Sequence, residues 1–247
     1  SRFDGPLDVD LEFFGLKDLA NFEAGVAFEG QISEPGESLS ANGTAVLTAN
    51  AGSSLPFDTL EGPLQVFSKG EAVNLTAALT GTGILKNSKT ASRLIGKAPN
   101  LDVSGSYDRT TGVLTLSPST AQLARGSLAA NGTIDTRQKA LNLETQLNQV
   151  SGLLASTPEL AASGKVGITG TFSAPQINAD VNLKGVDAFN RTVAQLVSDT
   201  PRLRANVVKA GETYQLQHIA IEGGVLVLNG TGTYGPKGKI TLNAGFT

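Results

Sequence analysis

Gly230-Thr231-Gly232-Thr233-Tyr234-Gly235 has the glycine spacing of a dinucleotide-binding loop, and it follows the apolar run Val225 to Leu228. Such a loop works by delivering a pyrophosphate to a helix N-terminus, where free backbone N–H groups meet the charge. Here Pro236-Lys237-Gly238-Lys239 leads instead into Ile240 to Phe246, which alternates apolar and polar residues as a strand does. The glycines therefore have no helix to serve, and no nucleotide cofactor is expected. His218 is the only histidine, so any Ser-His-Asp triad must use it, yet neither a Gly-x-Ser-x-Gly elbow nor a Ser-x-x-Lys motif accompanies it. Its place between Gln217 and Ile219 reads as a strand residue at a sheet face. With one His and no Cys, a zinc site lacks its ligands. Asp8, Asp10 and Glu12 share one face, but an unbroken strand cannot wrap carbonyl oxygens around a hard cation, so they read as a solvated outer face. Sequons at Asn42, Asn74, Asn131, Asn190 and Asn229 fall partly inside expected strands and read as by-products of Asn-Gly and Asn-Leu usage. The chain is not expected to be an enzyme, and no cofactor or metal is expected.

The composition narrows the remaining classes. The 247 residues carry a net charge of -3 with scattered Lys and Arg, which argues against a nucleic-acid surface, because phosphate binding needs clustered cations. Gly 29, no Met, no Trp, aromatics at 5% and charged residues at 17% describe a folding chain of small and aliphatic residues. The lack of Cys removes disulfides without fixing a compartment. No apolar run reaches the roughly 18 residues that a membrane helix needs. The chain does not begin with Met, so it is expected to be a piece of a longer protein, with any signal or anchor elsewhere.

The elements follow from periodicity. Gly164 to Val186 reads as an antiparallel hairpin: Val166, Ile168 and Phe172 point one way and Lys165, Thr169 and Thr171 the other. After Ser173-Ala174-Pro175, Ile177, Ala179, Val181 and Leu183 share one face against Asn178, Asp180, Asn182 and Lys184. Pro6 to Phe13 is a faultless alternation, and further strands are expected at Ala24 to Ile32, Ser38 to Ala49, Leu55 to Phe57, Gly62 to Phe67 and Ala72 to Leu85. Others are expected near Val103 to Tyr107, Val113 to Leu116, Ser127 to Asp135 and Leu141 to Leu147. Only Lys86 to Ala98 and Asp187 to Ser198 change period from two to 3.6, each closed by a proline, and both read as short helices. The second has Asp187 as cap and Phe189, Val193, Leu196 and Val197 as its apolar stripe. Val150 to Leu160 fits either a helical turn or a loop.

Superposing the helical segments exposes a repeat. TASRLIGKAPNL from Thr90 matches TVAQLVSDTPRL from Thr192 at Thr, Leu, Pro and Leu, and GSLAANGT from Gly126 answers GVLVLNGT from Gly224. SLSANGT from Ser38 repeats SLAANGT from Ser127, which suggests a reiterated β unit of about 90 to 100 residues. Within it Leu128, Ala130, Gly132 and Ile134 fall on one face; the glycine either lets the sheet bend or be approached there, or marks a bulge or tight turn. The chain is thus expected to be one continuous β segment with units near 1–84, 85–186 and 187–247.

About fifteen one-sided strands with two short helices leave the apolar face little to pack on except itself. Three Tyr, ten Phe and no Trp are too few to fill a wide closed interior. The expected fold is all-β: a long curved antiparallel or mixed sheet folded into an open hydrophobic groove, with two short helices. An acyl chain is the natural occupant of such a groove.

The order LIGKAPNLDVSGSYDRTTGVLTLSPSTAQLARGSLAANGTID, then LAASGKVGITGTFSAPQINADVNLKGV, resembles the periplasmic part of the TamB family. This is the inner-membrane-anchored component of the translocation and assembly module, within the AsmA-like group. The likeness covers most of the chain and is strongest from Ala91 to Val208. It implies a β-taco fold, a periplasmic location in a Gram-negative cell envelope, and phospholipid transfer between inner and outer membranes. An outer-membrane barrel partner of the TamA or BamA type would be met through other parts of the parent protein. The expected groove lining is Val166, Ile168, Phe172, Ile177, Ala179, Val181, Leu183, Leu128, Ala130, Ile134, Leu226 and Leu228. Sparse cations near these positions leave the headgroup in solvent with weak selectivity. Two other classes use the same pattern differently: a scaffold that offers β edges to outer-membrane strands during assembly, and a β-rich adhesin repeat with a filled interior.

Overall fold

A computed structural model describes residues 24–33, 38–49, 58–82, 93–96, 98–152, 159–189, 194–196, 198–224, 227–235 and 240–246. The fold is all-β. The strands are β1 (Ala24–Ser33), β2 (Ser38–Ala49), β3 (Thr59–Lys69), β4 (Ala72–Thr82), β5 (Asn100–Asp108), β6 (Val113–Leu123) and β7 (Gly126–Asp135). They continue as β8 (Ala140–Ser151), β9 (Ala161–Thr171), β10 (Pro175–Lys184), β11 (Arg202–Ala210), β12 (Thr213–Glu222), β13 (Leu228–Tyr234) and β14 (Ile240–Phe246). Strand order is chain order, and each registered pair is antiparallel, for example Ala41 opposite Val66 and Ile177 opposite Ile168. The expected strands at Pro6 to Phe13 and Leu55 to Phe57 lie outside the described residues.

Two compact units divide the chain within β7. In the first, comprising residues 1–124 and 129–140, Leu60, Ala77 and Leu79 form the buried cluster, with Leu47, Leu64 and Leu101 against it. Register explains the cluster: Leu47 stands opposite Leu60, and Leu79 opposite Leu101. The alternate residues Asn42, Gln65 and Thr76 form a cross-strand row of exposed polar side chains.

β6 runs past the expected end at Leu116, through Pro118. A proline removes a ladder N–H, and the β5–β6 register shifts between Asp102 and Gly105. The buried Ser119 mends the gap, its Oγ accepting from the Ser104 N–H at 3.0 Å and donating to the Ser117 carbonyl at 2.9 Å. The strand therefore continues past Pro118 to Leu123.

The second unit comprises residues 125–128 and 141–247, and its cluster is Val186 and Ala194 with Leu160, Leu183 and Ile221. Among the described residues helix is confined to Val186–Phe189, residues 194–196 and residues 93–95, inside or beside the two expected segments. The expected apolar stripe needs correction: Leu196 is 39% exposed, while Val186 and Ala194 are buried. Phe189, Val193 and Val197 lie outside the side chains described.

One junction recurs in both units. Gly81, near the end of β4, donates its N–H to the Pro99 carbonyl at 2.8 Å, and Leu183, near the end of β10, donates to the Pro201 carbonyl at 2.9 Å. Both prolines are buried and each opens a nine-residue strand, β5 or β11, with the same residue-by-residue exposure. Asn131-Gly132-Thr133 and Asn229-Gly230-Thr231 then fall in the second strand after each, β7 and β13. The sequence repeat is thus a repeat of structure.

Candidate functional site

The register of the second unit assembles an apolar face from β9 to β13. Val166 pairs with Ala179 and Ile168 with Ile177; across the next ladder Ile177 meets Val207, Ala179 meets Ala205 and Val181 meets Leu203. β11 then carries Leu203, Ala205 and Val207 against Ile221, Ile219 and Leu216 of β12, and Ile221 stands opposite Leu228 of β13. Four of the expected lining residues, Val166, Ile168, Ile177 and Ala179, are half-buried on this face, and so is Leu228. Val181 is buried at 5% exposure.

The face is covered unevenly. Leu183 and Ile221 lie beneath Val186 and Ala194, so the helical segments close that end. At the other end Tyr214 is 36% exposed and Tyr234 49%, their rings 6.2 Å apart. Small residues keep the middle shallow: Ile219 faces Gly230 and Leu216 faces Gly232.

Of the remaining expected residues, one is placed differently. Phe172 is not a strand residue. β9 ends at Thr171, and Phe172 sits half-buried in the turn closed by the Ala174 N–H on the Thr171 carbonyl at 3.1 Å. Leu128, Ala130 and Ile134 are half-buried on β7, the strand in which the two units divide. Leu226 lies outside the described residues. Sequence reasoning missed Leu203, Ala205, Val207, Leu216, Ile219 and Ile221. The β11 residues alternate cleanly with Arg202, Arg204 and Asn206, a signal that was available. The β12 residues change phase at a bulge between Leu216 and Ile219, which hides the alternation.

The opposite face is polar and laced by charge. Arg202 donates to Asp180 at 2.6 Å, Arg204 to Glu222, and Lys165 to Glu144 at 2.8 Å. The Arg202 hydrogen bond holds the Asp180 carboxyl below the usual carboxylate range, and the Glu144 hydrogen bond raises the Lys165 ammonium. His218 is exposed opposite Asn206 on this face. The glycines Gly230 to Gly235 lie in or just after β13, a strand paired on both sides, rather than in a phosphate-binding loop.

Among the described residues no group of three or more His, Cys, Asp or Glu side chains gathers to hold a metal, and no helix is long and apolar enough to cross a membrane. Comparison with protein-family models, with curated proteins and with solved structures gives no match. What the arrangement offers chemically is adsorption: a broad aliphatic surface, polar on its back, closed at one end and wet at the other.

Proposed function

We propose that this chain is a segment of a periplasmic lipid-transport protein of the TamB-like, AsmA-like kind, and that the apolar face of β9 to β13 carries phospholipid acyl chains between inner and outer membranes. The observation that carries this reading is the cross-strand row Ile168–Ile177–Val207–Leu216, aliphatic on four consecutive strands and half-buried throughout. A monomer seldom leaves such a contiguous apolar surface without a partner.

Dimensions and energy support the same occupant. From Val181 to Pro175 the face runs six steps along β10, about 20 Å at the usual strand rise. One leaflet of a bilayer core is about 15 Å thick, so an acyl chain can lie along a strand. Each methylene withdrawn from water contributes about 0.8 kcal/mol, and a chain of ordinary length is held by several kcal/mol without any charge contact.

A photo-crosslinking residue at Ile168 should capture phospholipid in cells, while one at the exposed Asn182 on the polar face should not. Capture from Asn182 alone would overturn the reading in favour of partner contacts made by the other face.

A further inference from the structure

One charged side chain departs from the pattern of the apolar face. Lys165, Lys184, Asp180, Arg202, Arg204 and Glu222 all alternate onto the polar side. Lys209 does not: it follows Leu203, Ala205 and Val207 in phase, and stands directly opposite Tyr214. Tyr214 in turn stands opposite Tyr234. No other charged residue of β9 to β13 falls on this face, and Lys209 has no carboxylate partner among the described residues. The group lies at the exposed end, away from the end covered by Val186 and Ala194. The turn that carries Phe172 also lies at this end of the sheet, since Gly170 pairs with Pro175 there.

We infer that Lys209, Tyr214 and Tyr234 form a headgroup station for an anionic phospholipid, resting on the acyl-chain reading above. A lysine at the margin of an apolar surface lays its methylenes on that surface and turns its ammonium to water. Tyrosines suit the same boundary, with an apolar ring and a hydroxyl that donates to a phosphate oxygen. The acyl chains then run along the strands toward Val181, and the phosphodiester meets an otherwise uncompensated cation. This differs from the sequence-based expectation of a headgroup left in solvent, because the register brings Lys209 opposite Tyr214, and Tyr214 opposite Tyr234. The station prefers a net negative headgroup to a zwitterionic one, since the choline ammonium of the latter would meet Lys209 with like charge.

The test uses the full 247-residue chain, incubated with an equimolar mixture of dioleoyl phosphatidylglycerol and dioleoyl phosphatidylcholine in detergent. After gel filtration, retained lipid is quantified by mass spectrometry. Enrichment of phosphatidylglycerol by about threefold is expected, the scale of one partly exposed ion contact. Lys209→Gln should bring the ratio to unity, and Lys209→Arg should preserve the enrichment. An equal ratio in the wild-type chain, or an enrichment that survives Lys209→Gln, overturns the headgroup station while leaving the acyl-chain reading intact. A wild-type chain that retains neither lipid removes both.

Discussion

Leu183 donates its backbone N–H to the carbonyl oxygen of Pro201 at 2.9 Å, joining the end of β10 to the entry of β11 across the helical insertion. The ring of Pro201 is almost wholly buried. Pro201→Gly removes that ring and frees the unfolded backbone, with an expected loss of about 2–3 kcal/mol. Urea unfolding followed by circular dichroism measures it. A change below about 0.5 kcal/mol, the range of a neutral surface substitution, would show that the junction does not hold the insertion in place.

Gly164 stands opposite Val181 with φ +145, and a Cβ built there meets the Asp180 carbonyl oxygen at 2.3 Å. The obstacle is backbone and cannot swing aside. Gly164→Ala is expected to destabilise by more than about 2 kcal/mol through strain. Gly167→Ala, three residues on, meets nothing closer than 4.0 Å and should be neutral or slightly stabilising. Equal effects in thermal melts would mean that the close approach at Gly164 is absent in solution.

Val181 and Asn182 are neighbours on opposite faces, one buried and one exposed. Val181→Asp places a carboxyl group without partners in apolar surroundings, at an expected loss of about 3 kcal/mol or more. Asn182→Asp should stay within about 0.5 kcal/mol. In an envelope-integrity assay of the lipid-transport function proposed above, the first should fail and the second should not. Matching behaviour of the pair would reverse the assignment of faces.

Ser119→Ala tests how β6 survives Pro118. Without the hydroxyl the Ser104 N–H loses its acceptor, which should lower stability by about 1–2 kcal/mol. Hydrogen exchange at Ser104 should quicken selectively. Unchanged exchange there would leave the strand's continuation without a cause.

Acid should weaken the fold through two carboxyl groups. The Arg202 hydrogen bond depresses Asp180, and the Thr111 N–H, followed by that of Thr110, depresses Asp108. At acid pH the unfolded chain then binds more protons than the folded one. The contribution of each group is present above the model-peptide value of 3.8 and is withdrawn as pH falls through the lowered folded value. Both groups are exposed, so the effect is modest. Asp180→Asn should be less stable than wild type at neutral pH and converge with it in strong acid. A gap that persists in strong acid would mean that the Arg202 pairing is not what the substitution removes.

Much of the fold is legible in the sequence because a one-sided strand writes its orientation every second residue. Ser38–Ala49 and Ile240–Phe246 are bounded in the structure as alternation predicts. The site is legible for the same reason at Val166, Ile168, Ile177, Ala179 and Val181. Reading fails where the period slips. In β12 the bulge turns Leu216 and Ile219 to one face although they lie three positions apart, and in β8 Gln149, at φ +49, moves the apolar phase from Leu147 to Val150. Phe172 is the opposite error, since its phase is right but the strand has already ended. The helical stripe fails because a helix of one turn presents too few positions for its period to decide which residue is covered.

Each strand lies beside its chain neighbour, so no strand needs a partner from a remote part of the chain. Gly70 and Glu71 alone join β3 to β4, and Gly211 and Glu212 join β11 to β12. Closing such small loops takes little entropy, and hairpins of this kind form within microseconds. A polypeptide emerging lengthwise, from a ribosome or a translocation pore, can lay each strand on the last without waiting for a remote segment. Assembly of this kind is progressive, and an interrupted chain keeps the ladders already laid. A chain ended at Ser151 should therefore retain slow amide exchange through β2 to β6, and general loss of that protection would reveal dependence on the far end.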